Sequence, residues 1–375
     1  MIKMKNLKVL HLTTHVNMGG ITIYIARLMK PLQKIGVECS VLSSGGSCSE
    51  IIREKGAQIY ELPIKTKSEL HPKLYLNLGK VISIIKNNKI DLIHAHTRVT
   101  QVMAYWIEKM TGTPYVSTCH GFYKKRLGRR LLPAWGKYVI GISDGVATHL
   151  AKDFGVPEDR VKTIFNAIDI DEIDASFSRH SPSEAKQSFG FNSSDRVVGV
   201  VARLVQDKGH EFLIQAVKLL SNEIPNLKVL IVGDGNYRQS LERLANSLQV
   251  ADRIKFLGNV QDVTKPLAAM DVFTLPAVWR EGFGLSIVEA MACYRPVIVT
   301  NIWALNSLIQ DRVTGLLIPP SDSKALAAAI KIIFSDDSLR DQMGKTAREM
   351  TEKLFSIDRM ARELKEVYFQ TLKAQ

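Results

Sequence analysis

The chain has 375 residues, 46% of them apolar and 23% charged, which is enough for two globular domains and excludes collagen-like, disordered and disulfide-scaffold classes. Its net charge of +13 is lopsided: residues 1–180 hold 26 basic and 15 acidic side chains, a net of +11, and the rest is nearly balanced. The longest apolar runs, such as Val197–Ala202, fall far below the roughly 18–20 residues of a membrane span. No N-terminal segment has the layout of a signal peptide, and Cys39, Cys48, Cys119 and Cys293 are scattered without C-x-x-C spacing. The expectation is a cytoplasmic protein with reduced thiols and no zinc site. A basic half suits an anionic partner such as phospholipid, a phosphorylated glycan or nucleic acid.

In chain order, β-rich runs alternate with amphipathic helices. Lys8–Thr13, Glu38–Ser43, Asp91–His94, Tyr115–Thr118 and Tyr138–Ile142 read as buried parallel strands, separated by helical stretches such as Ile21–Ile35, Lys73–Lys86 and Thr100–Met110. This rhythm predicts an α/β domain over 1–168 with helices on both faces of a parallel sheet. Asp169–Asp195 is rich in Asp, Ser and Glu and is predicted to be a linker. The rhythm restarts with Val197–Val201, Lys228–Val232, Ile254–Leu257, Val272–Leu275, Val297–Thr300 and Gly315–Ile318, giving a second α/β domain over 196–356. An amphipathic helix over about 357–375 closes the chain.

Motifs fall where strands end. Gly19-Gly20 follows the first strand and lets backbone approach a phosphate or sugar. His94-Ala-His96 and His120-Gly121 end two further strands; two histidines at i, i+2 suit packing beside an acceptor better than a metal. Lys124, Lys125, Arg126, Arg129 and Arg130 form the densest basic cluster, with Leu127, Leu131 and Trp135 at i, i+4, i+8. That combination fits an anionic acceptor or a membrane surface; the ordinary alternative is a solvated basic loop with its leucines in a core. The cluster has no interleaved aromatic residues and no nucleic-acid motif is present, which argues against nucleic-acid binding.

In the second domain, Arg203 and Lys208 follow a strand and can neutralise a diphosphate, Arg as a fork and Lys as a point charge. Gly233-Asp234-Gly235 is a tight strand–helix turn, not a full dinucleotide fingerprint, since Arg238 stands where the last glycine would be. Gly258 and Val260 end a similar strand. In Glu281-Gly-Phe-Gly-Leu-Ser-Ile-Val-Glu289, Gly284 precedes a helix from Leu285, whose free N–H groups favour an anion. Two carboxylates flanking such a turn suit a ligand with sugar at both ends and phosphate between.

The run from Glu281 to Glu289 resembles the E-x7-E signature of retaining glycosyltransferases with the GT-B fold. Together with Met18-Gly19-Gly20, His120-Gly121, Ile142-Ser143, Phe165-Asn166, Arg203 with Lys208, Gly233-Asp234-Gly235 and Thr314-Gly315-Leu316, in that order, the chain resembles glycosyltransferase family 4. The resemblance implies two Rossmann-like domains facing a central cleft, with the last helix crossing back to the first domain. It implies a UDP-sugar donor on the second domain and a glycan or glycolipid acceptor on the first, with no cofactor or metal.

It also assigns roles. Glu281 would touch the donor sugar and Glu289 the ribose diol. Arg203, Lys208 and the helix N-terminus would stabilise the leaving diphosphate, and His120 would reach a sugar hydroxyl. Gly19, Gly20, Gly233, Gly258, Val260, Phe283, Gly284 and Leu285 would line the donor. The implied setting is cell-surface polysaccharide or lipopolysaccharide synthesis on the inner face of the membrane, with attachment to an anionic surface. A soluble acceptor and a non-catalytic binding protein stand as alternatives. One departure is plain: the family's G-G-x-P-E loop is replaced by Trp303-Ala304-Leu305-Asn306-Ser307.

Overall fold

The computed structural model describes residues 6–279 and 281–373. The chain folds as two α/β units: one runs to Asn166 and takes back the chain from Ile357, and the other is Ala167–Ser356.

The first unit runs β1 (Leu7–Leu12), α1 (Gly20–Lys34), β2 (Val37–Ser43), α2 (Ser49–Glu54), β3 (Gln58–Glu61), α3 (Pro72–Leu76), α4 (Leu78–Asn88), β4 (Leu92–Ala95), α5 (Arg98–Thr111), β5 (Tyr115–Cys119), α6 (Leu127–Leu131), β6 (Val139–Gly141), α7 (Asp144–Phe154) and β7 (Val161–Thr163). Its seven strands are parallel in the order β3-β2-β1-β4-β5-β6-β7. β3 and β7 escape the sequence pattern because they are short edge strands with mostly half-buried or exposed side chains. Local chemistry sets the helix ends. Thr97 and Thr100 form a reciprocal cap on α5, and Ser143 accepts from Val146 N–H at the start of α7. Gly112 and Gly155 end the same two helices in the left-handed conformation.

The second unit runs α8 (Ile170–Phe177), α9 (Pro182–Ser188), β8 (Arg196–Val201), α10 (His210–Leu220), β9 (Leu227–Val232), α11 (Arg238–Ser247), β10 (Ile254–Gly258), α12 (Thr264–Ala269), β11 (Val272–Leu275), α13 (Leu285–Ala292), β12 (Val297–Thr300), β13 (Gly315–Ile318), α14 (Ser323–Ser335) and α15 (Asp337–Leu354). Its six strands are parallel in the order β10-β9-β8-β11-β12-β13. Val197, Val198, Val229, Leu230, Phe273 and Ile298 are fully buried, as a sheet covered on both faces requires.

The expected linker at 169–195 is a correction. It holds α8 and α9, each started by a side-chain cap, Asp169 and Ser181, with Pro182 in the first turn of α9. Its polar residues are caps and anchors. Buried Lys186 donates to Asp195 O at 2.8 Å and to both carboxylate oxygens of Asp271 at 2.9 and 3.0 Å, which fastens α9 to the sheet.

The last helix, α16 (Ile357–Lys373), packs on α1 within the first unit; its continuation to 375 lies outside the described residues. Leu364 and Tyr368 are fully buried there, and Lys365 Nζ donates to Ile35 O. The strand order of each sheet reverses between the strand that opens it and a later one, β1 beside β4 and β8 beside β11. In parallel sheets that switch point, at the carboxyl ends, is where ligands bind.

Candidate active site

In the second unit the carboxyl ends of β8, β9 and β11 converge. After β8 the chain bends so that Lys208 and Gly209 come against the residues after β11. Gly209 has φ +68°, and a Cβ there would lie 1.9 Å from Pro276 O, so only glycine allows this approach. Gly233, at φ +128°, passes Ala202 O as tightly, where a Cβ would come within 2.1 Å. Its N–H donates to Gly258 O at 2.8 Å, tying the ends of β9 and β10; Val260 follows, half-buried.

The turn makes Lys208 and Glu281 partners. Lys208 Nζ donates to Glu281 Oε2, and both side chains are largely buried. Arg203 lies exposed on the same strand end, with no side-chain partner among the described residues. Gly284, left-handed at φ +86°, caps α13. The side chain of Phe283 is buried edge-on to Phe355, so it anchors the turn and leaves only its backbone to face a ligand. Leu285 and Glu289 are half-buried on α13.

The departure at 303–307 places buried apolar side chains, Ala304 and Leu305, in this loop. Ala304 stands at φ +73° in the left-handed conformation that a glycine would adopt freely, and Leu305 packs beside Gly284.

In the first unit, histidines line up across the switch point. His11 Nδ1 and His96 Nε2 are 3.0 Å apart, and His96 Nδ1 and His120 Nε2 are 3.2 Å apart. His94 sits against them, with its two ring nitrogens 2.7 Å from Tyr368 Oη and from Thr118 Oγ1. Tyr24 meets His120 edge to face at 4.7 Å. Desolvation holds His11 and His120 down at about 3, and it puts His94 and His96 well below the usual range with help from neighbouring imidazoles. The column is therefore neutral at physiological pH.

His11, His94 and His96 bring nitrogens within 4.8 Å of one another, the one group of ligating side chains among the described residues close enough for a metal ion. The nitrogens of His94 and His96 are already hydrogen-bonded, and only His11 Nε2 is without a partner. His11 was not legible as part of the site, since it lies 85 positions from His96. Tyr24 and Tyr368 were hidden likewise. Gly19 and Gly20 open α1 beside this column, and a Cβ on Gly20 would meet nothing within 4 Å. Protein packing does not demand the small residue there.

The basic cluster needs two corrections. Arg129 and Trp135 were expected at a surface with the others, but they are 6% and 5% exposed. The Arg129 guanidinium stacks 4.2 Å from the Tyr123 ring and 4.7 Å from that of Trp135, and donates to Gln101 Oε1 at 3.2 Å. Trp135 sits too far along the chain to share a helix with Leu127 and Leu131, because α6 ends at Leu131. Lys124, Lys125, Arg126 and Arg130 are exposed, with Lys125 paired to Asp153 at 2.9 Å.

Two family models cover most of the chain: "Glycosyltransferase Family 4" matches residues 18–172 and "Glycosyl transferases group 1" matches 182–350. The chain belongs to glycosyltransferase family 4. The transferase is 29% identical to an uncharacterised glycosyltransferase of Methanocaldococcus jannaschii, over 93% of this chain and 94% of the relative. It is 25% identical to the N-acetyl-alpha-D-glucosaminyl L-malate synthase of Bacillus anthracis, over 96% and 97%. It is 26% identical to a UDP-Gal:alpha-D-GlcNAc-diphosphoundecaprenol alpha-1,3-galactosyltransferase of Escherichia coli, over 78% of each. Among solved structures, Anabaena HepE in complex with UDP superposes with a TM-score of 0.84 at 23% identity, covering 97% of this chain and 100% of that one. The transferase thus has two Rossmann-like domains of the GT-B kind, and it is an enzyme.

Proposed function

We propose that the transferase moves a sugar from a UDP-sugar to a membrane-carried glycan, with retention of configuration and without a metal ion. The observation that carries the donor half is the convergence of Arg203, Lys208, Glu281 and the start of α13 on one carboxyl edge of the second sheet. Arg203 and Lys208 meet the diphosphate, whose charge grows as the sugar leaves. Free N–H groups of α13, freed by the Gly284 turn, add to this. Glu281 takes sugar hydroxyls and holds Lys208 in place, and Glu289 takes the ribose diol. Neutral His120 offers a hydrogen bond to a sugar hydroxyl without adding charge.

No carboxylate is singled out as a nucleophile on the sugar. The reading is a front-face displacement: the anomeric carbon–phosphate oxygen bond breaks, the bond to the acceptor oxygen forms, and the acceptor's proton passes to the departing phosphate oxygen. The similarity to a galactosyltransferase whose name specifies a diphosphoundecaprenol acceptor supports a lipid-carried substrate. The similarity to an N-acetyl-alpha-D-glucosaminyl L-malate synthase, whose name specifies malate, supports the second reading, a soluble acceptor.

A thermal-shift screen of nucleotide-sugars tests the donor, since whatever binds the native state raises its melting temperature. Transfer should survive EDTA. Complete loss of activity with rescue by magnesium or manganese would remove Arg203 and Lys208 from their role.

A further inference from the structure

Among the described residues, five large apolar side chains are more than two-thirds exposed, and four of them gather in two short segments. Leu70 and Leu76, each 78% exposed, flank α3; Leu127 and Leu131, 69% and 75% exposed, bracket α6. The segments are far apart in sequence but fastened together. Arg98 pairs with Glu69 at 3.2 Å and donates to the backbone carbonyls of Gly128, Leu132 and Pro133 at 3.2, 2.7 and 2.9 Å. A Cβ on Gly128 would lie 3.0 Å from Glu69 Oε1, and Tyr75 Oη donates to Glu69 O at 3.1 Å. The four leucines are thus held out by a braced scaffold.

Beside α6 lies a cavity of about 440 Å³ lined by Lys125, Arg126, Arg129 and Arg130 against an apolar wall that includes Trp135 and Phe154. Exposed Lys65, Lys67 and Lys73 extend the positive charge along the other segment. Of the nearby acids, Glu69 is held by Arg98, and Asp153, which also lines the cavity, by Lys125 and His149; Glu61 stands exposed beside Lys65 and Lys73.

We propose that the 65–76 and 124–133 segments form one membrane-docking surface, its leucines entering the acyl boundary and its cavity taking the phosphate of an anionic lipid headgroup. The inference rests on the reading that the acceptor is carried in a membrane, and it adds where the protein meets that membrane. Cations beside protruding leucines are what an anionic lipid interface rewards. A second copy of the chain would set like charges against each other.

Co-sedimentation of the full chain with vesicles of phosphatidylglycerol in phosphatidylcholine, against pure phosphatidylcholine, tests this at low and high salt. The expected result is binding to the anionic vesicles only, released by salt. Leu70→Ser with Leu76→Ser should lower vesicle affinity about 10-fold or more, and Leu127→Ser with Leu131→Ser likewise, at unchanged melting temperature. Lys125, Arg126 and Arg130 changed together to Ser should abolish binding, whereas Lys331→Ser in the second unit should not matter. Equal binding to both vesicle types, or leucine variants that bind like the wild type, would overturn the proposal.

Calorimetric binding of glycerol 3-phosphate by a protein that does not bind the anionic vesicles would assign the cavity to a soluble phosphate ester and overturn the lipid assignment. Self-association lost in the leucine variants would assign the surface to a second copy. The acceptor reading is separated by assaying transfer to a water-soluble, short-chain lipid diphosphate sugar and to soluble acids. Vesicle binding as expected with transfer only to soluble acids leaves the docking surface standing and removes the lipid-carried acceptor. Transfer to lipid-linked acceptors by a protein that ignores vesicles does the reverse.

Discussion

Lys208 hydrogen-bonds Glu281, joining the turn after β8 to the turn after β11 across the switch point of the second sheet. The pair gives Lys208 a fixed place and leaves Arg203 as the exposed cation, with no side-chain partner among the described residues. Arg203→Ala and Lys208→Ala should each lower kcat/KM about 10–100-fold, equivalent to about 1.5–3 kcal/mol of transition-state binding. Because Lys208 and Glu281 touch, their double mutant should not show the sum of the two losses. A coupling energy of about 0.5–3 kcal/mol is expected from steady-state kinetics of the cycle. Strict additivity would mean that the ion pair does not act as a unit.

The two glutamates should separate by ligand. Glu281→Ala should reduce sugar transfer while leaving calorimetric binding of free UDP within a few-fold of the wild type. Glu289→Ala should weaken UDP itself. The opposite pattern would exchange their roles.

Acid should loosen the first unit. His11 and His120, held at about 3, cannot take up the protons that the unfolded chain accepts near its ordinary pKa of about 6.5. The folded pKa is lowered, so this stability is complete above about 6.5 and is lost as pH falls toward 3. Each such group costs up to about 1.4 kcal/mol per pH unit in that window. The melting temperature should fall from pH 7.5 to 5.0, and less steeply for His11→Gln. A variant whose slope matches the wild type would show that His11 accepts a proton in the fold.

Gly209→Ala should destabilise the protein by about 2 kcal/mol or more, because a Cβ must displace Pro276 O and hold a left-handed backbone. Denaturant unfolding measures the loss. UDP binding should weaken in the same variant, since Lys208 and Glu281 meet through that turn. Full retention of both would show that the approach relaxes at no cost.

Much of the architecture was legible because buried parallel strands are written as continuous apolar runs, as at Val197–Val201 and Val272–Leu275. Glycine-rich strand ends and Arg203, Lys208, Glu281 and Glu289 were legible for a related reason: each lies in a short local motif. What stayed hidden was long-range. The histidine column needs β1 beside β4, a pairing that periodicity does not encode. Arg129 looked like a surface cation because its aromatic neighbours Tyr123 and Phe154 come from outside the run. The polar 169–195 stretch resembled a linker because caps and buried ion-pair partners have the same composition as a solvated chain.

The return of α16 to the first unit sets an order of assembly. Residues 167–356 form a contiguous unit that can close as soon as they leave the ribosome. The first unit cannot do so: Tyr368, which hydrogen-bonds His94, and Lys365, which reaches Ile35 O, are made only after the whole second unit. Its histidine column therefore waits on the synthesis of α16. A chain stalled or truncated before Ile357 would keep a complete second unit while its first lacked the helix that covers α1.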